Sequence, residues 1–555
     1  MFHVKHLWKW GIDLNKRLLG ALTAFCLGAM TMMPAASAAE VNVKGPGAGK
    51  KIVYIPIDNR PVNDSQTVEV AEKLGYKVLV PPKEMLGGIK DYGHPEELLK
   101  WLEENSPGAQ AAVVSTDAML YGSLVGSRKH DLTAEKIMER AEALKAFHES
   151  HKRLPLYAFG TIMRTPRGDG YSSEDPAYYQ TYGRQIYAYT GLLDKEEMQG
   201  LSRQEKKQLA QLKAEIPAEY LDDWLQRRAK NYDANERFMT MAEAGVFNYF
   251  LLGCDDSAVP SQTHRESRHL EELGETLGKT RSVVTSGADE LGMLMVSRAI
   301  HDNLRDVPFV YAEYAKGKGA ETIPTYTNEK IGDSVEKAIA ALGGIPVNDP
   351  KRADLVLLVS TNPDGKTSEA NFPVNTTKFR KGTKDFVKKV NDYVQKGYPV
   401  AVADIAYGNG ADNALLEGLR KDGLQFRLQG YGGWNTATNS SGFLLGAASL
   451  ANKMSKEDIA DLLFTRYVDD WAYQANVRQQ VANMLGGWPG EGGYGKLDAK
   501  LEPAREKTAA LLKDFLQRNL CFPWGLKVQE VQVDFPWNRM FECDAKVVLK
   551  DEDKR

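Results

Sequence analysis

Two carboxylates stand side by side at Asp255 and Asp256, where the apolar run NYFLLGCDD gives way to polar sequence. Neighbouring anions repel, so one of such a pair can keep its proton near neutral pH and donate it to a leaving group. Glycosidic cleavage needs that chemistry, with Asp256 as general acid and Asp255 as the carboxylate that orients or stabilises a developing cation. Asp289 and Glu290, in GADE, are a second pair of catalytic candidates. Glu290 equally suits the first turn of the helix expected over LGMLMVSRAI, where an acid meets the positive end of the helix dipole.

Polar residues recur at the ends of other apolar runs. They are Asp58 and Arg60 in IPIDNRP, Asp117 and Tyr121 in STDAMLYG, Arg164 in TIMRTP, Asn409 and Asp412 in YGNGAD, and Trp434, Asn435 and Asn439 in GGWNTATN. Together they are candidates for substrate binding: Trp434 offers an aromatic face to the C–H surface of a sugar, and the amides meet its hydroxyls. Arg60, Arg128 and Arg164 could grip a carboxylate or phosphate bidentately; internal pairing with the acids is the expectation for at least two of them. Asp58, Asp404 and Asp412, each taken alone, fit helix N-caps.

Several chemistries find no support. GETLGKT at 274–280 is one residue short of a phosphate-binding loop and precedes a strand where it should follow one. No G-x-S-x-G or H-E-x-x-H occurs, and His264 and His269 fall on different faces of a helix. No cofactor and no metal-ligand set is therefore expected, although carboxylates alone could hold Ca²⁺ or Mg²⁺.

The elements that must position these residues read as α/β. Ten β-rich apolar runs from KIVYIPID to FRLQGYGGWNT alternate with amphipathic segments such as HPEELLKWLEENS. That alternation predicts a parallel sheet covered by helices, with chemistry gathered beyond the carboxyl ends of its strands. Setting VPFVYAEY and YKVLVPP aside as peripheral leaves eight strands, which favours a distorted (β/α)8 barrel; the alternative is two doubly wound lobes divided near residue 305. The core is expected over 39–450, with a helical insertion at 166–245. A C-terminal helical region over 451–555 would end in a β-hairpin turning at Pro536 to Arg539.

The first 38 residues have the three parts of an export signal. Lys5, Lys9, Lys16 and Arg17 precede the apolar stretch Leu18 to Met33, and Ala36-Ser37-Ala38 forms the cleavage site. The expected location is secreted or extracytoplasmic, with no membrane attachment after cleavage. Lys plus Arg number 71 against 74 Asp plus Glu, so no basic field favours nucleic acid. The partner expected is a small-molecule or polysaccharide substrate. In an oxidising compartment Cys521 and Cys543 are expected to form a disulfide around the hairpin, leaving Cys254 as an inert buried thiol.

IPIDNRPVN, STDAMLYGSLVGSR, LLGCDDSAVPSQTHRE, GADELG, ADIAYGNGAD and GYGGWNTATNSSG, in this order over nearly the whole chain after the leader, resemble the secreted bacterial domain-of-unknown-function family 4127. The resemblance implies an exported protein with an α/β core and supplies no activity. The acid pair is also similar to the arrangement in substrate-assisted hexosaminidases. The functional expectation is a glycosidase-like hydrolase acting on extracellular or envelope carbohydrate. The alternatives are a non-catalytic envelope binding or scaffold protein, and a metal-dependent phosphoester or amide hydrolase built on Asp58, Asp117 and Asp289.

Overall fold

The computed structural model describes residues 45–168, 173–278, 281–487 and 496–551. The leader expected at 1–38 lies outside them.

Six strands form one parallel sheet: β1 (Lys51–Ile55), β2 (Lys77–Leu79), β3 (Ala111–Ser115), β4 (Leu156–Ile162), β5 (Tyr249–Cys254) and β6 (Ser282–Ser286), in the order β2-β1-β3-β4-β5-β6. A second parallel sheet is built from β7 (Phe309–Tyr314), β8 (Ile345–Pro346), β9 (Leu355–Ser360), β11 (Val400–Asp404) and β13 (Gly430–Gly432), in the order β13-β11-β9-β7-β8. Two short strands, β10 (Ser368–Glu369) and β12 (Tyr407–Gly408), pair beside it. The central strands β3, β4, β5, β9 and β11 are buried along their whole length. Strands covered by helices on both faces need such continuous apolar sequence.

The α/β class is as expected, but the sheet does not close into a barrel. The chain follows the two-lobe arrangement, and the divide falls between β6 and β7. The helix Leu291–Leu304 enforces it. Met293, Leu294, Met295 and Val296 are all buried, so successive residues around its circumference face protein. It packs on the helix Ala437–Ser449, which follows the second sheet, and one apolar cluster runs from Tyr54 and Leu251 through these helices to Leu357 and Ala403. VPFVYAEY is therefore not peripheral. As β7 it pairs with β9 from Val310↔Leu355 to Tyr314↔Val359, which is why eight strands was the wrong count.

Between β4 and β5 lie the helices Tyr179–Gln199, Arg203–Glu215 and Ala218–Glu243. Ser202 and Glu205 make a reciprocal capping box at the start of the second. Tyr179, Ile186, Leu221 and Trp224 give this insertion an apolar cluster of its own. At the other end of the chain, helices Lys456–Arg466 and Leu501–Asn519 flank a π-helical stretch, Tyr467–Val477. The antiparallel hairpin of β14 (Leu526–Asp534) and β15 (Asp544–Asp551) follows. Its connection turns where expected, with Asn538 at φ +51° and its N–H donating to Phe535 O.

The expected disulfide is absent: Cys254, Cys521 and Cys543 are free. Cys543 is buried with Val528, Val531 and Ala545, whereas Cys521 lies exposed beyond the end of the helix Leu501–Asn519. Closeness in sequence did not bring the two sulfurs together. Under native conditions a thiol reagent is expected to label Cys521 alone, with Cys254 and Cys543 reacting only after denaturation. Mass spectrometry of the alkylated peptides checks this, and protection of Cys521 in the native protein would restore the disulfide.

Candidate active site

The ends of β1, β4, β5 and β6 open onto a cavity of about 480 Å³, and residues after β11 and β13 reach it from the second lobe. Its size falls within the usual range for small-molecule sites. β5 stops at Cys254, and the Asp255 N–H still donates to Ile162 O of β4. Asp256 then adopts φ +43°, a left-handed conformation that takes it out of the strand. In a continued strand the two acids would point to opposite faces. Here both line the cavity.

Guanidinium groups alternate with carboxylates around the wall. Arg60 Nη2 lies 2.8 Å from Asp58 and 2.5 Å from Asp289. Arg128 spans Glu174 and Asp255, each at 2.5 Å. Arg164 holds Asp175 at 2.6 Å and Glu174 at 3.1 Å. Arg539, from the terminal hairpin's turn, pairs with Glu174 and with Glu542. All three arginines singled out in the sequence are thus paired internally. The Trp537 ring receives the Arg60 guanidinium at 4.9 Å and that of Arg539 at 4.7 Å, and its Nε1 donates to Asn59 Oδ1 at 2.7 Å.

The charges set the proton balance. Burial, with Asp255 adjacent, pushes Asp256 up to about 7 against the opposing pull of Arg164 and Arg128. Burial also raises Asp289, against the neighbouring Arg60. Glu174 shows the reverse: burial opposes its ionisation, yet Arg539, Arg164, Arg128 and Arg60 together hold it well below the usual carboxylate range. Cys254 touches the cavity, but burial pushes its thiol up, away from nucleophilic use.

Of the residues expected here, Arg60, Arg164, Asp255, Asp256, Asp289, Asn409, Asn435 and Asn439 line the cavity. The two lobes join through their amides. Asn435 Nδ2 donates to Asp289 at 3.1 Å, and Asn439 Oδ1 accepts from Ala288 N at 3.1 Å. Asn409 Nδ2 donates to Glu369, which also accepts from the Tyr326 hydroxyl. Tyr326 at φ +75° and Asn409 at φ +57° join Asp256 as left-handed non-glycine residues, so three of the six among the described residues line this one cavity. Backbone strain of this kind concentrates at functional sites.

Six expected residues do not reach it. Asp58 lies behind, fixing Arg60 and accepting from Asn63. Asp117 accepts from both Thr161 N and Thr161 Oγ1 and so positions β4, while burial pushes it up to about 7. Tyr121 stacks on His130 in the core, with centroids 4.7 Å apart. Glu290 is 2% exposed and folds back over Gly287, whose missing Cβ leaves it room; burial pushes it up to about 8, and it stands at the N-cap of the helix Leu291–Leu304, before the first turn in which the alternative reading put it, with no side-chain cap hydrogen bond. Asp412 caps the helix Asn413–Lys421 through Ala414 N and pairs with Arg380. Trp434 packs behind Phe541 at 6.1 Å, so it presents no platform to a ligand.

Glu174, Asp175, Tyr326, Trp537, Arg539 and Phe541 line the cavity without having been singled out. For all of these but Tyr326, the clue in the sequence is the concentration of charged and aromatic side chains in two stretches, SSEDPAYY and DFPWNRMFE.

Two other arrangements carry no chemistry. Asp306, His301 and Ser449 have the distances of a nucleophilic triad, 2.9 Å and 3.0 Å. Ser449 is nevertheless 2% exposed and its hydroxyl donates to Gly446 O; no described cavity includes it. Asp58 and Asp289 share Arg60 while Asp117 faces Thr161, so the acids of the metal-dependent reading do not converge. Among the described residues no group of three or more His, Cys, Asp or Glu is placed to hold a metal ion.

The family model described as "Protein of unknown function (DUF4127)" matches residues 52–546. The chain belongs to this family. In this DUF4127 chain the match runs from β1 into β15, so it takes in both lobes, the acid pair and the turn that carries Trp537 and Arg539. No match is found among curated proteins.

Proposed function

We propose that this protein is an exported hydrolase that cleaves glycosidic bonds in an extracellular or envelope carbohydrate, with Asp256 as general acid. The observation that carries the reading is Asp256 itself: a carboxyl in the cavity wall, pushed up to about 7, beside Asp255 held by Arg128. Asp256 gives its proton to the glycosidic oxygen as the bond to the anomeric carbon breaks. Asp255 faces the positive charge that develops on the sugar. Water then adds its hydroxyl to the anomeric carbon and returns a proton to the carboxylates of the site.

The wall suits a hydroxyl-rich ligand. Arg60, Arg128, Arg164, Arg167 and Arg539 are set among Glu174, Asp175, Asp255, Asp256 and Asp289, so charged donors and acceptors alternate without a large net field. Export rests on the expected leader. Among the described residues no helix is long and apolar enough to cross a membrane.

The pH dependence follows from the acid. Asp256 works protonated, so activity is lost as pH rises through about 7, where kcat/KM should fall about ten-fold per unit of pH. A pH–rate profile on a cleaved oligosaccharide checks the sign and the midpoint. The assay that comes first is the release of new reducing ends from a broad oligosaccharide panel. Binding without any release would favour the scaffold reading, which the pre-existing arginine pairs of Asp255 and Asp289 also fit.

A further inference from the structure

The two acids of the pair are held in different ways. Arg128 fixes the Asp255 carboxylate, whereas the Asp256 carboxyl makes no hydrogen bond or ion pair among the described residues. Its direction is therefore set by the backbone that carries it. On the amino-terminal side that backbone is tied to β4 through the Asp255 N–H. On the carboxyl-terminal side it is tied to the second lobe. Ser257 is fully buried, and it donates its N–H to Tyr326 O at 3.0 Å and its hydroxyl to Asn328 Oδ1 at 2.8 Å. The same amide oxygen accepts from Ser286 Oγ, at the end of β6, at 2.5 Å. Tyr326 meets Ser257 from a left-handed backbone at φ +75°, which is costly for a bulky residue and persists only where the surroundings enforce it.

We propose that Asn328 is a positioning residue for the reaction: acting through Ser257, it lets the second lobe fix where the Asp256 carboxyl points. The inference rests on the glycosidase reading and adds to it the part that the second lobe plays in proton delivery. Asn328 is not among the residues of the cavity wall, so it acts without touching substrate. Ile162 on one side and Tyr326 with Asn328 on the other clamp the turn at Asp256. Proton transfer to a leaving oxygen needs the acid within hydrogen-bond reach, and a displacement of about 1 Å costs on the order of a hundred-fold in rate.

Steady-state kinetics of the full chain on whichever oligosaccharide of the panel is cleaved fastest tests the assignment, with a pH–rate profile for each variant. Asn328→Ala is expected to lower kcat about 10- to 100-fold, with KM within about two-fold of the parent's and the midpoint of the pH profile in place, because the acid is displaced while its surroundings are kept. Asn328→Asp keeps an acceptor for both serines and should recover most of the turnover. Ser257→Ala and Ser286→Ala separate positioning from general support. Each removes one hydrogen bond to the same amide oxygen, but only Ser257 adjoins the acid. Turnover is expected to fall in Ser257→Ala and to stay within about two-fold of the parent's in Ser286→Ala. That pair decides the matter even where Asn328→Ala does not fold. Equal kcat in the two serine variants, whether lowered or parental, overturns the positioning role and leaves the glycosidase reading intact. A parent that releases no reducing ends from any member of the panel overturns both.

Discussion

Asp256→Asn is expected to lower turnover by about two to four orders of magnitude while leaving the protein folded. The amide keeps the size and most of the hydrogen bonding of the acid but has no proton to give the leaving oxygen. Fold retention has a specific basis. Asp256 sits at φ +43°, and asparagine is among the few non-glycine residues that tolerate the left-handed region. The substitution also removes a carboxyl that burial holds near 7, so it relieves a desolvation cost and creates none. Steady-state kinetics with ligand titration on the same preparation makes the measurement. Retained affinity with lost kcat is the expected result. Turnover equal to the parent would remove Asp256 from the chemistry, and the glycosidase assignment with it.

Glu174→Ala is expected to destabilise the protein by about 3–5 kcal/mol, the cost of removing one partner from a buried ion pair. Glu174 meets Arg128, Arg164 and Arg539, which come from three distant parts of the chain. Without it, three guanidinium groups face one another with a carboxylate missing from their midst. Glu174→Gln should cost less, because the amide oxygen still accepts a hydrogen bond. The shift of the urea midpoint at constant slope gives the value. A loss under about 1 kcal/mol would mean that water already screens these charges, as on an ordinary surface.

The sequence made the strand ends legible because polar residues there interrupt long apolar runs, and eight of those residues do meet in one cavity. It did not show which of them face inward. Asp117 reads like Asp256, yet it is consumed by Thr161, whereas Asp412 takes the helix N-cap that its own pattern suggested and pairs with Arg380. The difference lies in partners far along the chain. The two tryptophans make the same point. Trp434, at a strand end, reads as the aromatic wall, whereas Trp537, in the hairpin's turn, has that place. Local pattern gives each a turn and polar neighbours, and only the docking of the hairpin against Asn59 decides between them. The two-lobe division was obscured for a related reason. Strand β7 ends in no acid or amide aimed at the site, so its sequence reads as dispensable, although its backbone pairs with β9 from Val310 to Tyr314.

Trp537 meets Asn59 across 478 positions of chain, and Arg539 meets Glu174 across 365. At typical rates of synthesis that first interval takes on the order of a minute. Once β6 and Asp289 have been made, the first lobe has its strands and acids but still lacks the piece that seals the wall. A nascent chain therefore passes through a long period without a complete cavity wall, which closes only after the hairpin has been made. Any fusion that tethers the hairpin elsewhere would extend that period indefinitely.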